Sequence, residues 1–252
     1  DLNTLLAKMY LNAEVYTGTP MYDQAVSYAN KVIHEGGFGL EKNYRNLFCG
    51  ENHLSPLHGN EIIFAIPCDG ENAKSYGNSI MVTAAAYGGL LNPKWLGMDA
   101  SWTCLKPCSQ LVKQFDYSPV AGYDHHGSTL KKDSRFIFFD VKEYVDGENG
   151  DNCTEQGVKT RRDVVPVLTD WNSGYLCHKF TNLGWDQNEV TPSAWPDTDF
   201  PLFRLADIYL IYAECAARQA TGADVSTAVG YINLLRERAN GDKSGNISGS
   251  RS

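Results

Sequence analysis

Apolar residues recur every three to four positions in four segments of the chain, two near each end. The segments are 2–16, 22–33, 202–216 and 225–239. This period is that of a helix with one buried face, and a short Gly- and Thr-containing break divides each pair. Each pair therefore predicts an antiparallel hairpin of the tetratricopeptide kind, over 1–37 and 200–240. Because Pro201 suits the first turn of a helix, the pattern predicts that the third helix begins there.

The middle of the chain, 38–199, has no sustained helical period and is rich in loop residues. A short helix is predicted over 106–115, whereas 78–87 fits either a strand or a loop. Short strands are predicted at 61–67, 136–139 and 175–181. Strands this few and scattered do not build a sheet-based domain. The predicted fold is mostly α, with tetratricopeptide-like helical hairpins, a long loop-rich insertion and a few short strands.

The last residues, 241–252, are polar and rich in Gly and Ser, which predicts a flexible tail. Two isolated hairpins cannot bury both their faces, since solenoids of this type need about three or more repeats. Either further helices exist in a longer parent protein, or the loop-rich middle covers these faces. We predict that 1–252 is a single domain and a fragment of a longer protein.

Composition argues against several classes of function. The chain has 252 residues and a net charge of −8, so the phosphate backbone of a nucleic acid would repel it. No apolar run approaches membrane-spanning length, so no transmembrane segment is predicted. Seven cysteines without C-x-x-C spacing argue against a zinc ribbon and leave the disulfide pairing and the redox compartment open.

Sequence signatures of catalysis are missing. The chain has no G-x-S-x-G, H-E-x-x-H or P-loop motif. A glycosidase needs two carboxylates facing each other across a cleft, and none of the 30 acidic residues carries a local signature of such a pair. We predict a protein that is not an enzyme and has no catalytic residues and no cofactor. The acidic loops 146–152 and 69–72 leave calcium as an alternative, although turn chemistry explains both without metal.

Three stretches carry a family resemblance. They are FPLFRLADIYLIYAECAAR at 200–218 followed by INLLRERA, GNEIIFAIP at 59–67, and D-x-R at 133–135. They resemble the SusD/RagB family of outer-membrane nutrient-binding lipoproteins. The resemblance implies a SusD-like fold and non-catalytic binding of an oligosaccharide or polysaccharide at the cell surface. It also implies delivery to a TonB-dependent, SusC-like outer-membrane transporter, and a lipid anchor on an N-terminal portion not present in this chain.

Aromatic rings on Gly-containing loops are the candidates for glycan contact. Flat rings stack on the apolar faces of sugars, while amides and cations pair with hydroxyl groups. We predict a ligand-binding set in the loop-rich region: Tyr76, Tyr87, Asn92, Lys94, Trp95, Trp102, Trp185 and Trp195. The alternative for any single ring is that it anchors its loop to the scaffold. The resemblance carries over the region and not residue-for-residue matches.

Three charged residues of the third helical segment, Arg204, Asp207 and Glu214, match the family motif directly. An Arg and an Asp three residues apart on a helix can pair with each other or with the adjoining loop. We predict that these charges tie segments of the fold together and do not contact ligand.

A rival function comes from another class. A tetratricopeptide-like adaptor, or a SusD-like protein with peptide or protein cargo, would bind on the concave side of the hairpins. The tyrosines expected on that side are Tyr10, Tyr16, Tyr209 and Tyr212.

Overall fold

The chain divides into two compact units. The computed structural model describes residues 2–57, 59–76, 79–84, 93–100, 102, 105–123, 129–139, 175–188 and 194–249. The helical unit comprises Asp1–Leu47, Leu54–Ile66 and Pro201–Ser252, and the loop-rich unit comprises Phe48–His53 and Pro67–Phe200. Within the described ranges, the helices are all too short or too polar to cross a membrane.

Helices provide most of the regular structure in the described part of the chain. In chain order the α-helices are α1 (Leu2–Leu11), α2 (Ala13–Thr17), α3 (Tyr22–Glu35), α4 (Ile80–Thr83), α5 (Ser109–Lys113), α6 (Leu205–Ala217) and α7 (Val225–Asn240). The strands are β1 (Ile62–Ile66), β2 (Val120–Tyr123), β3 (Thr129–Lys131), β4 (Phe138–Phe139), β5 (Leu176–Cys177) and β6 (Phe200–Arg204). The prediction of a mostly α fold with a few short strands is confirmed.

Small side chains form the core of the helical unit. Ala7 on α1 and Ala25 and Ala29 on α3 are completely buried, and both helices pack on α6 through Ile208 and Cys215, which are also completely buried. Alanine lets helix backbones approach closely, and burial of the larger aliphatic groups supplies the main stabilising term. The helical period of the sequence therefore identified the faces that pack.

Helix α7 has a defined beginning and end. The Asp224 carboxylate accepts hydrogen bonds from the Thr227 N–H at 2.7 Å and from the Thr227 hydroxyl at 2.9 Å, which caps the first turn. Gly241, at φ +74°, ends the helix in the left-handed region that favours glycine. Residues after Gly241 turn back, because the Asn233 side chain exchanges hydrogen bonds with the backbone of Ile247. The predicted flexible tail over 241–252 and the predicted boundaries stay predictions.

The third predicted helix begins later than the pattern indicated. Residues Phe200–Arg204 form β6, which pairs with β1, so α6 begins at Leu205 and not at Pro201. Arg204 has extended backbone angles (φ −134°, ψ 151°), and the Leu205 N–H donates to the Glu61 carbonyl oxygen at 3.0 Å. Pairing with a distant strand thus overrides a local helix signal, which sequence periodicity cannot anticipate.

Two short antiparallel pairs lie in the described residues of the loop-rich unit. β2 and β3 pair with Tyr123 opposite Thr129, and β4 and β5 pair with Phe138 opposite Cys177. The strands predicted at 136–139 and 175–181 are therefore confirmed in part, and each is shorter than predicted. The predicted helix at 106–115 is confirmed as the shorter α5. The interpretation of 78–87 as strand or loop is wrong where the structure describes it, because 80–83 form the helical turn α4.

A buried carboxylate holds the β2–β3 pair to the residues around it. Asp133 is completely buried, and it accepts hydrogen bonds from Arg135 Nε at 2.9 Å, from Arg135 Nη2 at 2.6 Å and from the Tyr117 hydroxyl. Burial alone would raise the pKa of Asp133, but the bonds from Arg135 and Tyr117 outweigh it and the pKa is lowered. The D-x-R motif is thus a structural tie.

Candidate functional site

Three aromatic rings from separate parts of the loop-rich unit meet around one cavity. Tyr76, Trp102 and Trp195, here called the aromatic arc, line a space of about 250 Å³. The Tyr76 ring centroid lies 6.1 Å from that of Trp102 and 4.9 Å from that of Trp195, with ring planes inclined by 44° and 64°. Tyr76 is 65% exposed, whereas both indoles are half-buried. The arc therefore combines a fixed side with a face open to solvent.

Apolar side chains form the floor of this cavity. Ile80, Ala84 and Met98 line it, and none is more than 4% exposed. The Trp102 N–H donates to the Ala84 carbonyl oxygen at 2.9 Å, which fixes the backbone of Trp102 beside α4. Trp102 and Trp195 both pack against this core cluster. The two indole rings are consequently held by contacts with well-packed buried side chains.

Asn182 connects the two loops on which the cavity depends. Its backbone N–H donates to the Leu96 carbonyl oxygen at 2.7 Å, and its side-chain amide donates to the Gly97 carbonyl oxygen at 3.2 Å. Its Oδ1 accepts the Asp197 N–H at 2.9 Å, two residues beyond Trp195. Gly97 has φ +70°, and a Cβ there would lie 2.7 Å from the Asn182 carbonyl oxygen. Only glycine allows this approach.

Carboxylates fix the Trp195 loop from its other side. Asp197 Oδ1 accepts the Gly70 N–H at 2.7 Å, and Asp199 Oδ1 accepts the Cys68 N–H at 2.9 Å. A Cβ at Gly70 would lie 2.1 Å from the Trp195 carbonyl oxygen, so the two backbones touch. Burial raises the pKa of Asp199, and the hydrogen bond from Cys68 opposes this rise.

Asp99 adds a charge to the cavity. It lines the space together with the aromatic arc, and its Oδ1 accepts a hydrogen bond from Lys94 Nζ at 2.7 Å. About half of each side chain is exposed, at 51% for Asp99 and 47% for Lys94. Among the described residues that line the cavity, Asp99 is the one charged side chain. It was missing from the predicted set, although it stands only three residues before Trp102.

The structure brings together part of the predicted binding set. Tyr76, Trp102 and Trp195 meet at the cavity, while Lys94 approaches it as the partner of Asp99. Trp95 instead packs against the core cluster beneath the cavity. Tyr87 and Asn92 lie outside the described residues. Glycan contact by each of these residues stays a prediction.

Trp185 lies in a different environment. Its backbone N–H donates to Glu51 Oε2 at 2.8 Å, and its side chain lies close to the Cys49 thiol. Burial raises the pKa of that thiol to about 11. Trp185 is half-buried and does not line the cavity of the aromatic arc. Glycan contact by Trp185 and the alternative in which its ring anchors a loop both stay predictions.

The motif charges of the third helical segment form ties within the helical unit. Arg204 Nη1 donates to Glu61 Oε1 at 2.8 Å, and Arg238 pairs with Oε2 of the same completely buried carboxylate. The other two partners are Lys8 for Asp207, at 2.5 Å, and Arg218 for Glu214, at 2.8 Å. Arg204 and Asp207 do not pair with each other. None of the three motif residues lines the cavity.

The tyrosines of the rival peptide-binding surface mostly serve helix packing. The Tyr10 ring stacks on Tyr28 with centroids 5.5 Å apart, and the Tyr209 ring stacks on Tyr231 at 4.4 Å. Tyr212 is 4% exposed, and its hydroxyl accepts the Asp224 N–H at 3.0 Å. Tyr16 is 71% exposed. Three of the four rings are thus engaged in intramolecular stacking or burial.

The calcium alternative concerns two loops. Residues 146–152 lie outside the described residues. In the other loop, the Asp69 carboxylate accepts the backbone N–H groups of Glu71 and Asn72 at 2.8 Å, and hydrogen bonds from Asn72 lower the pKa of Asp69. In the part of the chain that the structure describes, no group of three His, Cys, Asp or Glu side chains is arranged to hold a metal ion. Calcium binding stays an untested prediction.

Comparison of the sequence with protein families finds one match that covers most of the chain. Residues 60–248 match the model of the SusD family. The chain is also 33% identical to the starch-binding protein SusD of Bacteroides thetaiotaomicron, over 94% of this chain and 44% of that protein. The chain therefore spans less than half the length of this relative.

Solved structures share the fold at lower sequence identity. A SusD superfamily protein from Parabacteroides distasonis superimposes with a TM-score of 0.61 at 20% identity, over 98% of this chain and 45% of that one. Surface glycan-binding protein A from Bacteroides thetaiotaomicron, in complex with laminarihexaose, gives a TM-score of 0.60 at 18% identity, over 99% and 48%. At these identities the comparison shows the fold alone.

Proposed function

Since this chain belongs to the SusD family, we propose that it binds oligosaccharide without catalysis. In the full protein it would present captured glycan to a TonB-dependent, SusC-like transporter at the cell surface, held at the outer membrane by a lipid anchor. The sequence resemblance supports the partner and the location. The binding proposal rests in addition on the geometry of the loop-rich unit.

The aromatic arc is the observation that carries this proposal. Sugar rings have flat C–H faces that stack on Trp and Tyr, and the inclination between Tyr76 and Trp195 presents two ring faces at different angles. A chain of sugar residues that bends can contact both faces, whereas a flat one contacts a single face. The half-buried indoles are already supported by Met98 and Ile80, so little ordering is required on binding.

Glycoside hydrolysis requires two carboxyl groups on opposite sides of the scissile bond. Among the described residues that line the cavity, Asp99 is the one carboxylate, and it is paired with Lys94. We therefore expect binding without turnover. Incubation with a bound oligosaccharide followed by chromatography should return it uncleaved.

Isothermal titration calorimetry tests the proposal with a panel of glucan oligosaccharides. The curated relative is named starch-binding and a structural neighbour holds laminarihexaose, so maltoheptaose and laminarihexaose are the first probes. We expect Trp102→Ala and Trp195→Ala each to weaken binding at least about fivefold, because each substitution removes a stacking face at a cost of about 1–3 kcal/mol.

Tyr123→Ala serves as the control, because Tyr123 is an exposed aromatic residue of the same unit that does not line the cavity. The affinity of this variant for the oligosaccharides should stay within about twofold of that of the unmodified chain. Unchanged affinity in both arc variants would contradict the proposed site. A response to oligopeptides in place of sugars would favour the rival cargo.

A further inference from the structure

We infer that Asp99 makes the cavity select neutral over acidic oligosaccharides, and that Lys94 is a positioning residue for its carboxylate. The inference rests on the proposed function, since it concerns the ligand class of the same cavity. It goes beyond that function by assigning a specificity to a side chain that is not aromatic.

The geometry places the two charges of this pair differently. Asp99 lines the cavity beside Trp102, whereas Lys94 does not line it and reaches Asp99 Oδ1 at 2.7 Å. A ligand on the aromatic arc therefore contacts the carboxylate and not the ammonium group. Lys94 follows Pro93 in the short 3₁₀-helix Pro93–Leu96, so its backbone is held while its side chain fixes the carboxylate.

A carboxylate in this position favours the binding of neutral sugars over acidic ones. Hydroxyl groups of a neutral sugar can donate to the Asp99 carboxylate, and such charge-assisted hydrogen bonds are stronger than neutral ones. A uronic acid brings a second negative charge close to Asp99, and like charges at a partly desolvated site repel each other. The net charge of −8 on the chain acts in the same direction at long range.

Matched pairs of oligosaccharides measure this selectivity. Maltohexaose and laminarihexaose serve as neutral probes and hexagalacturonate as the acidic probe, each titrated by calorimetry. We expect the unmodified chain to prefer its better neutral probe by at least about tenfold, which is about 1.4 kcal/mol. In Asp99→Asn that preference should fall at least threefold, because the amide keeps the shape and loses the charge.

Lys94→Met should change the preference for neutral probes in the opposite direction, which separates positioning from simple structural support. Without the ammonium group the carboxylate is less neutralised, so discrimination against hexagalacturonate should increase by about threefold. A loss of packing alone would lower the affinity for both probes equally. Raising the salt concentration from about 0.02 M to about 0.5 M should reduce discrimination in the unmodified chain and change it little in Asp99→Asn.

Asp116→Asn is the control for net charge, because Asp116 is exposed in the same unit and does not line the cavity. It should leave the preference unchanged. Equal affinity of the unmodified chain for neutral and acidic probes, or an unchanged preference in Asp99→Asn, overturns the inference while the proposed function stands. Failure of every glycan to bind overturns both.

Discussion

The two units of this chain are held in place by different kinds of interaction. In the helical unit, apolar residues at helical spacing form a buried cluster, and one carboxylate, Glu61, joins strand and helix through Arg204 and Arg238. In the loop-rich unit, Asn182 and Asp197 bind the backbone of neighbouring loops. Regular packing thus dominates the helical unit, whereas individual polar side chains shape the cavity of the loop-rich unit. The difference predicts which substitutions alter stability alone and which also alter binding.

The largest effect is expected at Glu61, on the helical side of the comparison. Glu61→Ala leaves Arg204 and Arg238, which are 19% and 8% exposed, without their buried partner. Breaking such a pair costs about 3–5 kcal/mol of the free energy of unfolding. Urea denaturation measures this loss, with the exposed Glu71→Ala as control. Glycan affinity of the folded fraction should be unchanged, and a selective loss of affinity would show that the two regions are not distinct in this way.

Asn182→Ala should give a smaller loss of stability and a larger loss of binding. It removes the side-chain partner of the buried Gly97 carbonyl oxygen and of the part-buried Asp197 N–H, and a buried group left unsatisfied costs about 1–3 kcal/mol. Because the Trp195 loop is then released, affinity for maltoheptaose should fall at least fivefold. Calorimetry and urea denaturation of Asn182→Ala and the exposed Asn188→Ala check this expectation. Full affinity in a destabilised Asn182→Ala would contradict the assigned role.

Acid should weaken the loop-rich unit through Asp133. Its pKa is lowered in the folded state, so the stability that it contributes is present above its unfolded pKa of about 3.9 and is lost as pH falls through the folded value. Asp133→Asn should therefore be less stable than the unmodified chain at pH 7, with the difference shrinking below about pH 4. Thermal unfolding followed at several pH values measures the difference. A constant difference down to pH 2 would argue against this titration.

The smallest effect concerns thiol reactivity, which should be equally low for the buried cysteine of each unit. Burial raises the pKa of Cys49 and of Cys215 to about 11, so at pH 8 about one thiol in a thousand is ionised. Alkylation of the folded protein with iodoacetamide, followed by peptide mass mapping, should modify the exposed Cys108 and spare both buried thiols. Rapid labelling of Cys49 would indicate that its surroundings open easily.

Sequence periodicity predicted the helical unit well because helix faces are a local property. The segments later seen as α1, α3, α6 and α7 were all identified, and the largest error was the start of α6. That start depends on β6 pairing with β1, which is a contact between distant parts of the chain. Local signals carry no information about such a partner.

The candidate site was predictable as a region and only partly as a set of residues. Gly-flanked aromatics indicated Tyr76, Trp102 and Trp195, but the same signal also selected Trp185, which packs near Cys49 and Glu51. Exposure of a loop ring depends on which distant segment lies against it. Asn182 carried no signal, because its role depends on backbone groups of residues far away in sequence.

The contacts of Asn182 reach main-chain atoms on both of its neighbouring loops. These contacts involve no side-chain atom of residues 102 or 195, so the rings there can be exchanged for other side chains while their loops keep the same course. Under the proposed function, a lineage or a protein engineer can therefore change the sugar preference by substituting the lining residues one position at a time, while the loops that carry them keep their backbone contacts.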